Sequence, residues 1–134
     1  MILVDTSVIV TFWKKPKDRW RQVFLEEEVA ICGIVKAELM HGAQDERTLS
    51  IIVEALSEFV YVPIDETVWE DVGRLLYRLR RKGIAVPFQD VVLCVLSLRH
   101  NMPIWTEDKH FELIKSEVEE LQLFRPGDCL QESK

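Results

Sequence analysis

At 134 residues the chain is long enough to bury one core and too short for two ordinary domains, so its motifs are expected to serve one common site. A hydrophobic share of 48% beside 30% charged residues excludes a disordered chain, which would carry fewer aromatic and branched side chains. The formal charge of -6 excludes a protein that coats nucleic acid through its overall charge.

Met1 to Val4 is a short apolar run that reads as a strand stopping at Asp5, with Thr6-Ser7 opening a helix through Phe12-Trp13. Asp18 to Glu28 is helical in composition and Val29 to Cys32 is a second buried strand. Gly33 then opens a helix that carries Glu38 and ends near Gly42. Asp45 to Ser57 is a further helix, Phe59 to Pro63 a strand, and Asp65 caps a long helix that ends at Gly83. Pro87 precedes an apolar helix, Val91 to Leu98, with Asp90 in its first turn. Pro103 to Trp105 is a short strand, Lys109 to Ser116 a last helix, and Leu121 to Phe124 an edge strand. Apolar strands alternating with amphipathic helices imply a single domain built as a three-layer α/β/α sandwich with a central parallel sheet.

No apolar run approaches the roughly 20 residues that span a bilayer, and Met1 to Val4 meets an acid too early for a secretory leader, so a cytoplasmic location is expected. Cys32, Cys94 and Cys129 lie far apart with no CxxC pair, which suggests neither a disulfide framework nor a zinc site. Cys32 and Cys94 sit inside apolar runs and read as small core residues.

In open parallel sheets the binding crevice lies beyond the carboxyl ends of the strands, and this chain places acids there. Asp5 follows the first strand, Glu38 lies on the helix after the second, and Asp108 follows the strand at Trp105. Asp90 begins a helix between Pro87-Phe88 and the wholly apolar Val91-Val92-Leu93, where an unpaired charge is costly. Taken singly, each acid has a plainer reading: a helix cap for Asp5, a helix-dipole partner for Asp90, a surface carboxylate for Glu38. Gathered together they would repel, each raising the pKa of the others, unless a divalent cation offset the charge. Oxygen-only ligands favour Mg²⁺, with Mn²⁺ as a substitute, and such an ion activates water for phosphodiester hydrolysis.

Two basic stretches offset the overall acidity: Lys14, Lys15, Lys17, Arg19 and Arg21, and then Arg74, Arg78, Arg80, Arg81 and Lys82. The second is the first candidate for holding RNA outside the acidic pocket, although a solvated helix face looks the same in sequence. Glu38 with His41 repeats the spacing of a di-iron helix motif, but a second copy is missing. His41 reads as a surface residue and His100 as a helix-end residue, while His110, next to Asp108, reads as neutral packing around the acids in preference to a proton carrier. Trp13, Trp20, Trp69 and Trp105 stand in apolar runs and read as core or interface, with no part in catalysis.

The motif set resembles that of the PIN-domain family, and in particular its VapC-type toxins. Met1-Ile-Leu-Val-Asp5-Thr-Ser7 is similar to the family's opening strand, and Ile34-Val-Lys-Ala-Glu38-Leu-Met-His-Gly42 to the helix of its second acid. Phe88-Gln-Asp90-Val-Val-Leu resembles the third motif and Trp105-Thr-Glu-Asp108-Lys-His-Phe111 the fourth. The resemblance implies metal-binding carboxylates at Asp5, Glu38, Asp90 and Asp108, with Ser7 and Thr106 as supporting hydroxyls and Thr6 acting only through its backbone. It favours Asp108 over the adjacent Glu107. Cys94 with Val95 departs mildly from it, since relatives often carry small alanines there.

The resemblance further implies Mg²⁺-dependent RNA cleavage, a homodimer, and inhibition by a small cognate antitoxin. Three other readings are weaker. A phosphatase with an aspartyl nucleophile expects a second Asp where Ser7 stands. A Mg²⁺-binding receiver-like signalling domain fits Glu38 and Asp90 poorly. A catalytically silent PIN-type binding module has no need of all four acids.

Overall fold

Ile2–Val4 forms β1, and Val29–Cys32 forms β2, both buried along their whole length. Strands covered on both faces carry continuous apolar runs instead of alternation, which is why Ile2-Leu3-Val4 and Val29-Ala30-Ile31-Cys32 lack polar residues. Val60–Val62 forms β3, Ile104–Trp105 forms β4 and Leu123–Phe124 forms β5. The five strands make one sheet in the order β3-β2-β1-β4-β5, and every pairing is parallel. These elements come from a computed structural model that describes residues 1–127. Cys129 lies outside the described residues.

The helices are α1 (Thr6–Lys14), α2 (Asp18–Glu26), α3 (Gly33–His41), α4 (Glu46–Leu56), α5 (Val68–Arg81), α6 (Phe88–His100) and α7 (His110–Glu117). With the parallel sheet they give the α/β sandwich expected from the alternating pattern. In α6 every residue from Asp90 to Ser97 is buried, the mark of a helix that is apolar all round. Cys32 and Cys94 are buried free thiols, in keeping with their surroundings in sequence.

Several boundaries differ from the sequence reading, three of them for a clear local reason. Helix α2 stops at Glu26 because Glu27 is already extended, and the carbonyl of Glu28 accepts the Ile2 N–H at 2.9 Å, drawing the segment into the sheet. Asp65 does not cap α5 directly. Its carboxylate accepts the N–H and hydroxyl of Thr67 at 2.9 and 2.5 Å, forming a turn one step before the helix begins at Val68. Helix α6 starts at Phe88, immediately after Pro87 with its φ of -60°, and closes on Asn101 in the left-handed region at φ 50°.

From β1 the chain steps outward through β2 to β3, then returns by way of α5 and α6 to β4 on the other side of β1. The strand order therefore reverses between β1 and β4. In open parallel sheets that reversal opens a crevice at the carboxyl ends of the two strands.

Candidate active site

The crevice between β1 and β4 is where three acids of the sequence reading, Asp5, Asp90 and Asp108, come together. Asp5 directly follows β1, and its N–H still bonds to the Trp105 carbonyl at 2.9 Å, so the sheet ladder fixes its backbone while the carboxylate leaves at the rim. Its Oδ2 accepts the Ser7 hydroxyl at 2.8 Å and the Thr106 hydroxyl at 2.9 Å. Each hydroxyl also accepts a backbone N–H: Ser7 Oγ from Glu107 at 3.1 Å and Thr106 Oγ1 from Asp108 at 2.9 Å. The carboxylate of Asp5 is thus tied through two hydroxyls to the turn after β4. Hydrogen bonds to a charged group are the stronger kind.

Asp90, only 6% exposed, enters from the first turn of α6, and Asp108 stands part-buried on the turn after β4. Between them lies His110, whose Nδ1 is 3.2 Å from Asp90 Oδ2 and 3.0 Å from Asp108 Oδ1. One ligating atom from each of Asp90, Asp108 and His110 can be chosen so that all lie within 4.8 Å of one another. Burial pushes the Asp90 carboxyl up to about 6, and the charges of Asp5 and then Asp108 push the same way, against the hydrogen bond and charge of His110. Burial also pushes up the Cys94 thiol farther along α6, with the charges of Asp90 and Asp5 adding to it.

Glu38 is exposed on α3, and its Oε1 accepts the hydroxyl of Thr6 at 2.8 Å. This corrects the expectation that Thr6 acts only through its backbone. Helices α1 and α3 pack against each other, which brings the first residue of α1 to the sixth of α3. His110 stands beside the acids as expected, and its ring meets two of them, Asp108 and Asp90. A signal for it did exist: Asp108 Oδ1 accepts the His110 N–H at 3.0 Å, a turn in which an Asp carboxylate bonds the backbone two residues on and brings that residue beside it. Glu107, by contrast, is exposed and contributes its backbone N–H, while Asp108 joins the group with Asp90.

Among the described residues, His41 and His100 are exposed and stand outside the cluster. Trp20 and Trp105 are core residues, but Trp13 and Trp69 are both 42% exposed and are not. Trp69 stacks on Phe88 with an interplanar angle of 6°. In the basic stretch of α5, Arg74 pairs with Glu70 at 3.5 Å and Arg78 donates to the Glu117 carbonyl. Arg80, Arg81 and Lys82 are exposed, and none of the five has a described contact with the acidic cluster. A cleft of about 390 Å³ lined by Phe12, Trp13, Phe24 and Phe59 opens at the amino ends of β2 and β3, the opposite edge of the sheet from the carboxylates.

The family model described as PIN domain matches residues 2–117, a span that takes in β1 through α7 and every residue of the acidic cluster. The chain belongs to the PIN-domain family. This PIN domain is 33% identical over 120 residues to Ribonuclease VapC1 of Methanocaldococcus jannaschii, with 85% of this chain and 81% of that one covered. Its fold is similar to the DNA-bound VapBC of Salmonella typhimurium at a TM-score of 0.80 and 21% identity, covering 92% of this chain and 96% of that one. It is similar also to VapBC-5 of Mycobacterium tuberculosis, a member of the VapBC family of toxin-antitoxin systems, at a TM-score of 0.69 and 19% identity, covering 92% and 96%.

The donor set of this PIN domain fits a divalent cation. The charges of Asp5 and Asp108 that push the Asp90 carboxyl up are offset by a positive ion, and the oxygens of Asp90 and Asp108 lie within 4.8 Å of each other and of the His110 nitrogen.

Proposed function

We propose that this protein is a metal-dependent endoribonuclease of the VapC type, with Asp5, Glu38, Asp90 and Asp108 as the carboxylates that hold Mg²⁺, or Mn²⁺ in its place. The observation that carries this reading is the meeting of Asp5, Asp90 and Asp108 at the reversal of strand order, with Asp90 buried and its carboxyl raised to about 6. Support for RNA as substrate comes from the relative named Ribonuclease VapC1, matched over four-fifths of its length. A divalent ion bound here supplies an acidified water and neutralises charge that develops on a phosphodiester.

The chain's own residues do the placing. Ser7 and Thr106 fix Asp5 by donating to its Oδ2, and Thr6, next to Asp5, holds the Glu38 carboxylate from the neighbouring helix. Hydrolysis by activated water leaves a 5′-phosphate and a 3′-hydroxyl. Arg80, Arg81 and Lys82, with Arg74 and Arg78 behind them on α5, provide positive charge that an acidic protein needs to retain a polyanion. The likeness to VapBC assemblies extends the proposal to a small antitoxin as protein partner and to a homodimer as the working state.

The test uses purified protein freed of any antitoxin, incubated with a panel of structured RNAs in Mg²⁺, in Mn²⁺ and in EDTA, beside an Asp90→Asn variant. Metal-dependent cleavage by the wild type alone is expected. Intact RNA under every condition, with equal binding by both proteins, would leave a silent binding module.

A further inference from the structure

His110 has no part in the four-carboxylate reading, yet it is the residue that touches two of those carboxylates. We infer that His110 Nδ1 joins Asp90 and Asp108 as a donor to the cation, and that this nitrogen makes the site prefer Mn²⁺ and later divalent transition ions over Mg²⁺. The inference rests on the carboxylate reading above and adds to it a donor and an ion preference.

The spacing carries the argument. His110 Nδ1 lies 3.0 Å from Asp108 Oδ1 and 3.2 Å from Asp90 Oδ2. A small divalent ion with bonds of about 2.1 Å holds neighbouring donors about 3.0 Å apart, the edge of an octahedron. Two of the three separations therefore already stand near those that such an ion imposes, and the two carboxylate oxygens lie within 4.8 Å of each other. The ring is also well anchored. His110 is the first residue of α7, its N–H is bonded to Asp108 Oδ1 at 3.0 Å, and the next residue, Phe111, is fully buried. The His110 side chain is 41% exposed, so one side of the cluster stays open to water and to a phosphate.

Residue type points the same way. A lysine or arginine here would neutralise the carboxylates and nothing more, since neither offers a lone pair when charged, whereas neutral imidazole does. Oxygen-only sites suit Mg²⁺, while an imidazole donor favours ions of borderline softness, rising from Mn²⁺ through Co²⁺ and Ni²⁺.

The same spacing also suits an imidazole N–H donated to the carboxylates, and that arrangement leaves no nitrogen on the ion. The experiment separates the two. The whole chain, stripped with EDTA and dialysed, is titrated with MnCl₂ alone and read by electron paramagnetic resonance, with nitrogen hyperfine coupling to bound Mn²⁺ recorded by spin-echo modulation. Mg²⁺ is then added as competitor. His110→Gln, His110→Ala and Asp90→Asn are measured alongside, with circular dichroism to establish that each is folded.

Nitrogen coupling is expected in the wild type and absent from both His110 variants, with Mn²⁺ affinity lower by at least about tenfold and Mg²⁺ affinity less affected. Bound Mn²⁺ without nitrogen coupling, or unchanged Mn²⁺ affinity in both His110 variants, overturns the inference and leaves His110 as a hydrogen-bond clamp. Failure of the carboxylate reading looks different: Asp90→Asn then binds Mn²⁺ as the wild type does. No Mn²⁺ binding by the wild type overturns both.

Discussion

Thr106 illustrates how a small side chain fixes charged neighbours. Its hydroxyl donates to Asp5 Oδ2 and accepts from the Asp108 N–H, both at 2.9 Å, in a position only 6% exposed. Thr106→Val keeps the shape and removes both bonds, so we expect a loss of about 1 to 3 kcal/mol in denaturant unfolding together with reduced cleavage, while Thr106→Ser retains most of each. Equal stability of Val and wild type would show that Asp5 is held by Ser7 alone. Asp90 obeys a different rule. Its carboxyl titrates near 3.8 when exposed and near 6 in the fold, so the folded state binds its proton more tightly than the unfolded one. That contribution is complete at pH values below the unfolded pKa and is lost as pH rises through about 6, leaving metal-free protein on the order of 2 to 3 kcal/mol less stable at pH 7. Asp90→Asn should therefore melt at a higher temperature than wild type at pH 7 in EDTA, with the gap closing toward pH 4, even as cleavage disappears. A gap that does not change with pH would refute this.

At the scale of elements, two glycines of the α5 region behave oppositely under the same substitution. Gly73 lies inside the helix with nothing within 4 Å of a would-be Cβ, so Gly73→Ala should raise stability by roughly 0.5 to 1 kcal/mol. Gly83 has equally open space but a φ of +77°, and Gly83→Ala should lower stability by about 1 to 2 kcal/mol through backbone strain alone. Thermal melts of the two variants check both signs. The strands and helices themselves were legible in sequence because β1 and β2 are unbroken apolar runs and Gly42, Gly83 and Pro87 mark real ends. The acids Asp5, Asp90 and Asp108 were legible because each sits at a strand or helix terminus facing one rim. The Thr6 hydroxyl was misread, and the reach of His110 to Asp90 went unread, for one reason. Their partners, Glu38 and Asp90, belong to other helices, and a contact between helices leaves no trace in local spacing. Asp65 was misplaced by two residues because the turn it forms with Thr67 carries the same residue types as a helix cap.

The whole molecule is acidic at -6, yet the exposed end of α5 is basic, so association with RNA should depend steeply on salt. Replacing Arg80, Arg81 and Lys82 together by alanine should weaken RNA binding and flatten the slope of log affinity against log salt by about 2. An unchanged slope, measured with Asp90→Asn to prevent cleavage, would assign RNA retention to another surface such as Lys14 to Arg21. The central strand has a consequence of another kind. β1 lies between β2 and β4, and the Asp5 carboxylate is held by a hydroxyl 101 residues away. During synthesis at roughly 5 to 20 residues per second, several seconds or more separate the emergence of Asp5 from that of Thr106 and Asp108. Until the later segment arrives, β1 lacks its β4 neighbour and the carboxylates have no common point. On the proposed function, the nuclease site is therefore inert while most of its own message is being read, and is complete only once nearly all of the domain has left the ribosome.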